Sequence, residues 1–283
     1  MTKTLHEGYH HHTSDNGERV PAEAAGGEGF EQVLPSTPFL LAAAAYAVAA
    51  ALSARRYSSW PRHRMICWLL GVGAAAAAVI GPLAAAAHHS FEAHMATHLL
   101  LGMMAPLLLV LSAPLTLALR TLPVAHARRL SAVLRSAPLQ LVIHPVTAAA
   151  LNVGGLALLY LTELYTLMHE HVWIYILVHL HIFLAGYAFT ASMLYTDPVP
   201  HRKSYMYRSI VLVLAIAGHG ILAKYLYAHP PAGVMPDEAE AGSMLMYYGG
   251  DLVHLAVIFL LCRQWYRSAG RALLRGTKST SHG

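Results

Sequence analysis

His94 and His98 stand four residues apart in a run that also holds His88, His89, Glu92 and Met95. On a helix an i, i+4 pair shares one face, one turn apart, so two imidazoles so placed can bind a single metal ion. Met95 adds a thioether beside them. Further along, His169, Glu170 and His171 precede His179 and His181, and Asp251 and His254 are three apart and share a helical face. A single histidine at a membrane interface is accounted for by hydrogen bonds to headgroups or helix ends. A pair beside a second pair makes metal binding an equal reading. Imidazole and thioether without thiolate suit copper, Cu(I) in particular, better than magnesium or calcium, which want oxygen ligands, and zinc stays open. The candidate metal ligands are therefore His94, His98, His179, Asp251, His254 and Met95. His219 reads as a core polar residue bonded to a neighbour or as a further member of the site. Lys224 reads mainly as an anchor that snorkels to the interface. Met103, Met104, Met244 and Met246 extend the thioether supply or simply fill gaps in an apolar core.

The chain around these residues is 56% hydrophobic and 12% charged over 283 residues, about half the charge of an ordinary soluble domain. Lipid is the solvent such a composition suits. Apolar stretches of bilayer-crossing length lie at 38–54, 65–87, 97–119, 144–162, 173–194, 208–228 and 247–262. They predict an all-α bundle of seven transmembrane helices, or six if the first, Ala-rich stretch does not insert. Sixteen of the 19 Lys and Arg residues fall into four clusters: Arg55 to Arg64, Arg120 to Arg135, Arg202 to Arg208, and Arg263 to Lys278. These clusters alternate with connections that hold none, so the positive-inside rule puts them in the cytoplasm, the N-terminus outside and the C-terminus inside. Of the 20 histidines only His63, His126, His144, His201 and His282 fall on the cytoplasmic side. The others gather towards the outer face, and those on the third, fifth and seventh spans are expected at one shared depth.

Residues 1–37 read as a flexible tail, 38–266 as the transmembrane domain and 267–283 as a basic cytoplasmic tail. His6, His10, His11 and His12 in the first tail could capture metal loosely, and an added tag is the competing explanation. Small residues at Gly71 to Ala78 and Asn152 to Gly155 predict close helix contacts. Pro82, Pro106 and Pro114, within or beside the second and third spans, free backbone carbonyls that neighbours or cavity water must satisfy. Scattered basic residues without interleaved aromatics argue against nucleic acid. Cys67 and Cys262 form no CxxC and signal no disulfide framework. No nucleophile is matched with a base, and His169-Glu170-His171 is too tight for HExxH, so no enzyme activity is expected.

The stretch from His94 to Leu119, His144-Pro145, the His179 region, Asp197-Pro198 and the segment Met246 to Asp251 together resemble the CtaG family, the assembly factors of caa-type cytochrome c oxidase. The resemblance spans residues 38 to 268. It implies a seven-helix protein of the cell's inner membrane that matures a haem-copper oxidase by handling copper on the outer side, with oxidase subunits and the lipid bilayer as its partners. His94 and His98 match the family's paired histidines of the third helix, His179 the histidine of the fifth and Asp251 the acid of the seventh. Leu252 stands where a Gln often follows that acid, which weakens His254 as a ligand. The residues themselves leave two other functions open. One is electron transfer through haem b between His179 or His219 and His254. The other is metal transport with His144 and His219 as lower steps. A di-iron hydroxylase fits poorly, because the histidine boxes are too few and face outwards.

Overall fold

The computed structural model describes residues 24–199 and 202–280, and among them there are helices and no strands. Helices α1 (Ala24–Arg56) and α2 (Arg62–Val79) are followed by the short α3 (Pro82–Ala86). The third span is built from α4 (Phe91–Leu99), a π-helical turn (Leu100–Met104), α5 (Ala105–Ser112) and α6 (Pro114–Thr121). Two short helices, α7 (Val124–Leu134) and α8 (Ala137–Val142), lead to α9 (Pro145–Leu161) and α10 (Leu164–Glu170). The chain ends in α11 (Val172–Leu194), α12 (Tyr205–Ala228) and α13 (Pro236–Thr280). Among the described residues six helices are long and apolar enough to cross a membrane, and there are seven crossings if α9 and α10, bent by 77°, count as one. That bend has a side-chain cause. The Thr162 hydroxyl donates to the Leu158 carbonyl at 2.6 Å and accepts from the Leu164 amide at 3.3 Å, drawing both away from the helical ladder.

Two expected boundaries move. The backbone is already helical from Ala24, inside the segment assigned to the first tail, and stays helical to Thr280, inside the segment assigned to the last. A helix begun in lipid propagates outwards because each further residue adds a hydrogen bond without a new nucleation step. His6, His10, His11 and His12 lie outside the described residues, as does His282.

The third span packs against α13 and α11, α13 against α12, α12 against α9, and α9 against α11, closing a ring of five crossings. Helices α1 and α2 lie outside that ring, against the third span and each other. The contacts are close where glycine faces a neighbour. A Cβ on Gly71 would meet Leu109 at 2.9 Å, one on Gly242 would meet Phe91 at 2.6 Å, and one on Gly249 would meet Leu99 at 2.5 Å. Small residues take this role in lipid, where packing and not exclusion of water holds helices together. Leu40, Leu70, Trp173, Leu214 and Leu255 stay exposed on the outer surface of the bundle. In lipid such side chains are in their preferred solvent.

Proline explains the breaks in the third span. Pro106 has no amide hydrogen to offer the Gly102 carbonyl, and the wider π-helical turn relieves the ring's clash with it. Ala113, ahead of Pro114, takes a left-handed φ of 55°. Asp197 then caps α6 from the far side of the fifth crossing, accepting from the Thr116 amide at 2.8 Å, the Thr116 hydroxyl at 2.6 Å and the Leu115 amide at 3.3 Å. With the Thr116 amide so engaged, the Ser112 carbonyl accepts instead from the Tyr46 hydroxyl at 2.7 Å, tying α1 to the break. Asp197→Ala is expected to lower stability by about 1–3 kcal/mol, as loss of a charged cap does. Asp197→Asn should recover part of it. Thermal unfolding of both variants in the same detergent checks the order.

Candidate metal centre

The two ends of the bundle differ in chemistry. At one, the Arg64 and Arg120 guanidinium groups lie 4.9 and 5.3 Å from the Trp60 ring centre. At the other, Glu238 at the start of α13 accepts from the Phe91 amide at the start of α4 at 3.3 Å. Here α4 enters the ring with His94, and Ser90 caps it by accepting from the Ala93 amide. Behind this entrance a cavity of about 260 Å³ is lined by His88, His89, Phe91, Tyr165, His169 and Glu238.

His94 is buried between α9, α10 and α11. Its ring centre lies 6.3 Å from that of His169 and 6.4 Å from that of His179, with Tyr165 at 5.3 Å. The Tyr160 hydroxyl is 3.0 Å from His94 Nε2 and 3.6 Å from Met95 Sδ. Sulfur only accepts and the hydroxyl has one hydrogen. Both contacts are met when His94 Nε2–H donates to the Tyr160 oxygen and the hydroxyl donates to Met95, which leaves the lone pair on His94 Nδ1. His169 and His179 each place Nδ1 2.9 Å from the carbonyl four residues back, of Tyr165 and Tyr175. A carbonyl cannot donate, so both rings carry Nδ1–H and present the lone pair on Nε2. Fixing one ring nitrogen so that the other can ligate is how proteins orient metal-binding histidines.

His98, one turn deeper on α4, belongs to a different group. Its ring stacks on His219 of α12 at 6.1 Å, and His219 meets His254 of α13 edge-on at 5.2 Å. The expected site residues are thus divided between two levels: His94, Met95 and His179 with His169 and Tyr160 near the entrance, and His98 and His254 with His219 below. Asp251 is half-buried on α13, one turn before His254, and makes no hydrogen bond or ion pair among the described residues. Its carboxylate acts electrostatically on His254, at the edge of the deeper group. No three His, Cys, Asp or Glu side chains among the described residues already sit at metal-holding distance. Two imidazoles on one ion place their ring centres roughly 5 Å apart, so His169 and His179 would each have to come more than about 1 Å nearer to His94.

Of the other readings, His219 as a core residue bonded through Nε2 does not hold, because that nitrogen is buried without a partner among the described residues. Lys224 is exposed over the Tyr247 ring at 5.1 Å, in keeping with an anchor. His181 bonds the Leu151 carbonyl at 3.2 Å and packs into the space left by Gly155. His144 stands at the N-terminus of α9 without a side-chain capping bond and meets Tyr207 at 5.9 Å. Tyr160 and His169 were missed as site residues. The signal was faint: Tyr160, Tyr165 and His169 lie five and four residues apart across the α9 to α10 bend, and the bend itself is not visible in periodicity.

Residues 44–268 match the family of the cytochrome c oxidase caa3 assembly factor, Caa3_CtaG. Similar proteins include "Uncharacterized protein Mb0105" of Mycobacterium bovis, 34% identical over 181 residues, which are 62% of this chain and 27% of the relative. "Uncharacterized protein MT0111" of Mycobacterium tuberculosis matches with the same figures, 34%, 62% and 27%. "Uncharacterized protein ML1998" of Mycobacterium leprae is 27% identical over 242 residues, 78% of this chain and 37% of the relative. The chain spans between a quarter and two fifths of the length of these curated relatives. No solved structure matches.

Proposed function

The chain belongs to the cytochrome c oxidase caa3 assembly factor family, and from that premise we propose that it holds Cu(I) at the histidine-rich end of its bundle for a maturing oxidase. The observation that carries this reading is the geometry at the entrance. His169 and His179 have Nδ1 tied to a backbone carbonyl, and His94 has Nε2 tied to Tyr160, so three imidazoles gather with one lone pair free on each. Met95 supplies a thioether through the same hydroxyl. Imidazole and thioether donors without thiolate favour Cu(I) over hard cations. Clustering of Arg at the opposite end supports a reading in which the histidine end faces away from the cytoplasm, where an oxidase subunit could receive copper. Holding and handing over an ion needs no covalent step, so the role is that of a chaperone and not of an enzyme. Haem b between His219 and His254 fits poorly, because the cavity they line measures about 10 Å³ and has no room for a porphyrin.

Copper content of the purified chain, together with oxidase activity of host membranes, tests the reading. His94→Ala with His179→Ala is expected to lose the entrance copper and to lower the yield of active oxidase. A wild-type chain that binds no copper, or a double variant that matures oxidase as the wild type does, overturns it. Tyr160→Phe keeps the ring and removes only the hydroxyl that orients His94 and Met95. Its copper affinity is expected to fall by roughly 10-fold, the lower end for loss of a ligand-orienting group, and its stability by about 1–3 kcal/mol, because His94 Nε2–H is left buried without its acceptor. Competition with a chelator of known Cu(I) affinity measures it.

A further inference from the structure

The deeper group has features that the entrance does not account for. His98, His219 and His254 are 4%, 4% and 5% exposed. Four of the eight buried side-chain polar atoms that lack a partner among the described residues belong to these three rings: both nitrogens of His98, Nε2 of His219 and Nδ1 of His254. The other four belong to Ser53, Thr196, Arg208 and Ser243, while several buried hydroxyls do find partners. Thr97, Ser112 and Ser192 each donate to a carbonyl of their own helix. The rings also have room made for them. A Cβ on Gly102, in the π-helical turn, would come 3.3 Å from His98, and one on Gly250 would come 2.5 Å from His219. Together with Met103 and Asn152 the three histidines line a cavity of about 10 Å³, the space of one water-sized sphere.

We propose that His98, His219 and His254 form a second, deeper site that holds one Cu(I) ion, with Met103 at its edge. The choice of Cu(I) rests on the reading of the entrance site; the existence of the deeper site rests on the unpartnered nitrogens and the cavity they surround. His219 and His254 already stand at 5.2 Å, close to the roughly 5 Å that two imidazoles on one ion require, and His98 is within about 1 Å of it at 6.1 Å from His219. The imidazole donors are neutral, and the Met103 thioether at the edge is soft. A monovalent ion is far cheaper to desolvate than a divalent one, since the cost grows with the square of the charge. Asp251, on the same face of α13 one turn from His254, supplies a counter-charge. The π-helical turn that follows His98 gives that part of α4 the local freedom to bring its ring inwards.

The test is an ion count on the purified full chain loaded with Cu(I) under reducing conditions, and then washed. The wild type is expected to keep two ions. His94→Ala with His179→Ala should keep one, and His219→Leu with His254→Leu should keep the other. X-ray absorption of the ion left in the entrance variant should report mainly imidazole nitrogen. Apolar Leu fills the space of each ring, and helicity and unfolding temperature of the metal-free variant establish that it is folded. One ion in the wild type, lost with His94 and His179 and kept without His219 and His254, overturns the deeper site and leaves the entrance reading standing. One ion with the opposite dependence supports the deeper site and overturns the entrance. A folded Leu variant that keeps the full count overturns the proposal and assigns the cavity to water.

Discussion

Replacing Gly186 by valine is expected to leave the membrane almost empty of folded protein. Gly186 lies on α11 against the Gly102 carbonyl of the π-helical turn, and any Cβ there would run into that oxygen. The carbonyl cannot retreat. Pro106, which offers it no hydrogen bond, closes the helix on its other side, and a Cβ on Gly186 would also meet the Pro106 ring at 3.2 Å. The fifth crossing would have to move away from the third, opening the ring at the depth of His98. Overpacking of backbone on backbone belongs with the largest single-residue effects, about 4 kcal/mol or more. Gly154→Ala is the matched control, because a Cβ there meets nothing within 4 Å. It should be neutral or stabilising by about 0.5–1 kcal/mol, as alanine is in a helix. Fluorescence size-exclusion of detergent extracts compares the two, and normal accumulation of the Gly186→Val protein would refute the packing described for α11.

Replacing His219 and His254 together by leucine is expected to move stability in the opposite direction. Both rings bury a nitrogen that has no partner, and a buried polar group left unsatisfied costs about 1–3 kcal/mol. Leucine removes that cost and fills the same volume. In the presence of a Cu(I) chelator the double variant should therefore unfold at a higher temperature than the wild type. With Cu(I) added the order should reverse, because an ion bound only by the folded wild type stabilises it in proportion to the logarithm of its concentration over Kd. The variant should show no such shift from the deeper site. A metal-free variant less stable than the wild type would mean that the two rings are packed better than their unpaired nitrogens imply.

The separation of His94 from His98 shows what helical spacing can and cannot determine. Four residues apart, they share a face of α4, and the structure keeps that. They are also about 6 Å apart along the axis. At the level of His94 the face meets rings of α9, α10 and α11, and at the level of His98 it meets His219 of α12 and shares a small cavity with α9, α11 and α13. Periodicity states which face of a helix is turned inwards and is silent on which neighbour covers each turn of it. His169 is hidden from such reasoning for the same cause. It joins His94 only because Thr162 bends the fourth crossing back over the entrance.

By itself the sequence determined the solvent and the helical spans of this protein, and the contrast in charge between its two ends. Apolar runs of bilayer length, Arg at alternate ends and histidines opposite them are local or additive properties, set by what each segment costs to place in lipid or water. It also carried the family motifs, including Asp197-Pro198, whose acid turns out to cap α6. Tertiary structure alone decided the grouping of the histidines, the place of Tyr160 between His94 and Met95, and the closing of five crossings into a ring with α1 and α2 outside. Those outcomes depend on which glycine meets which side chain across helices far apart in the chain. Contacts of that kind are settled by shape at close range, and no spacing along one helix encodes them.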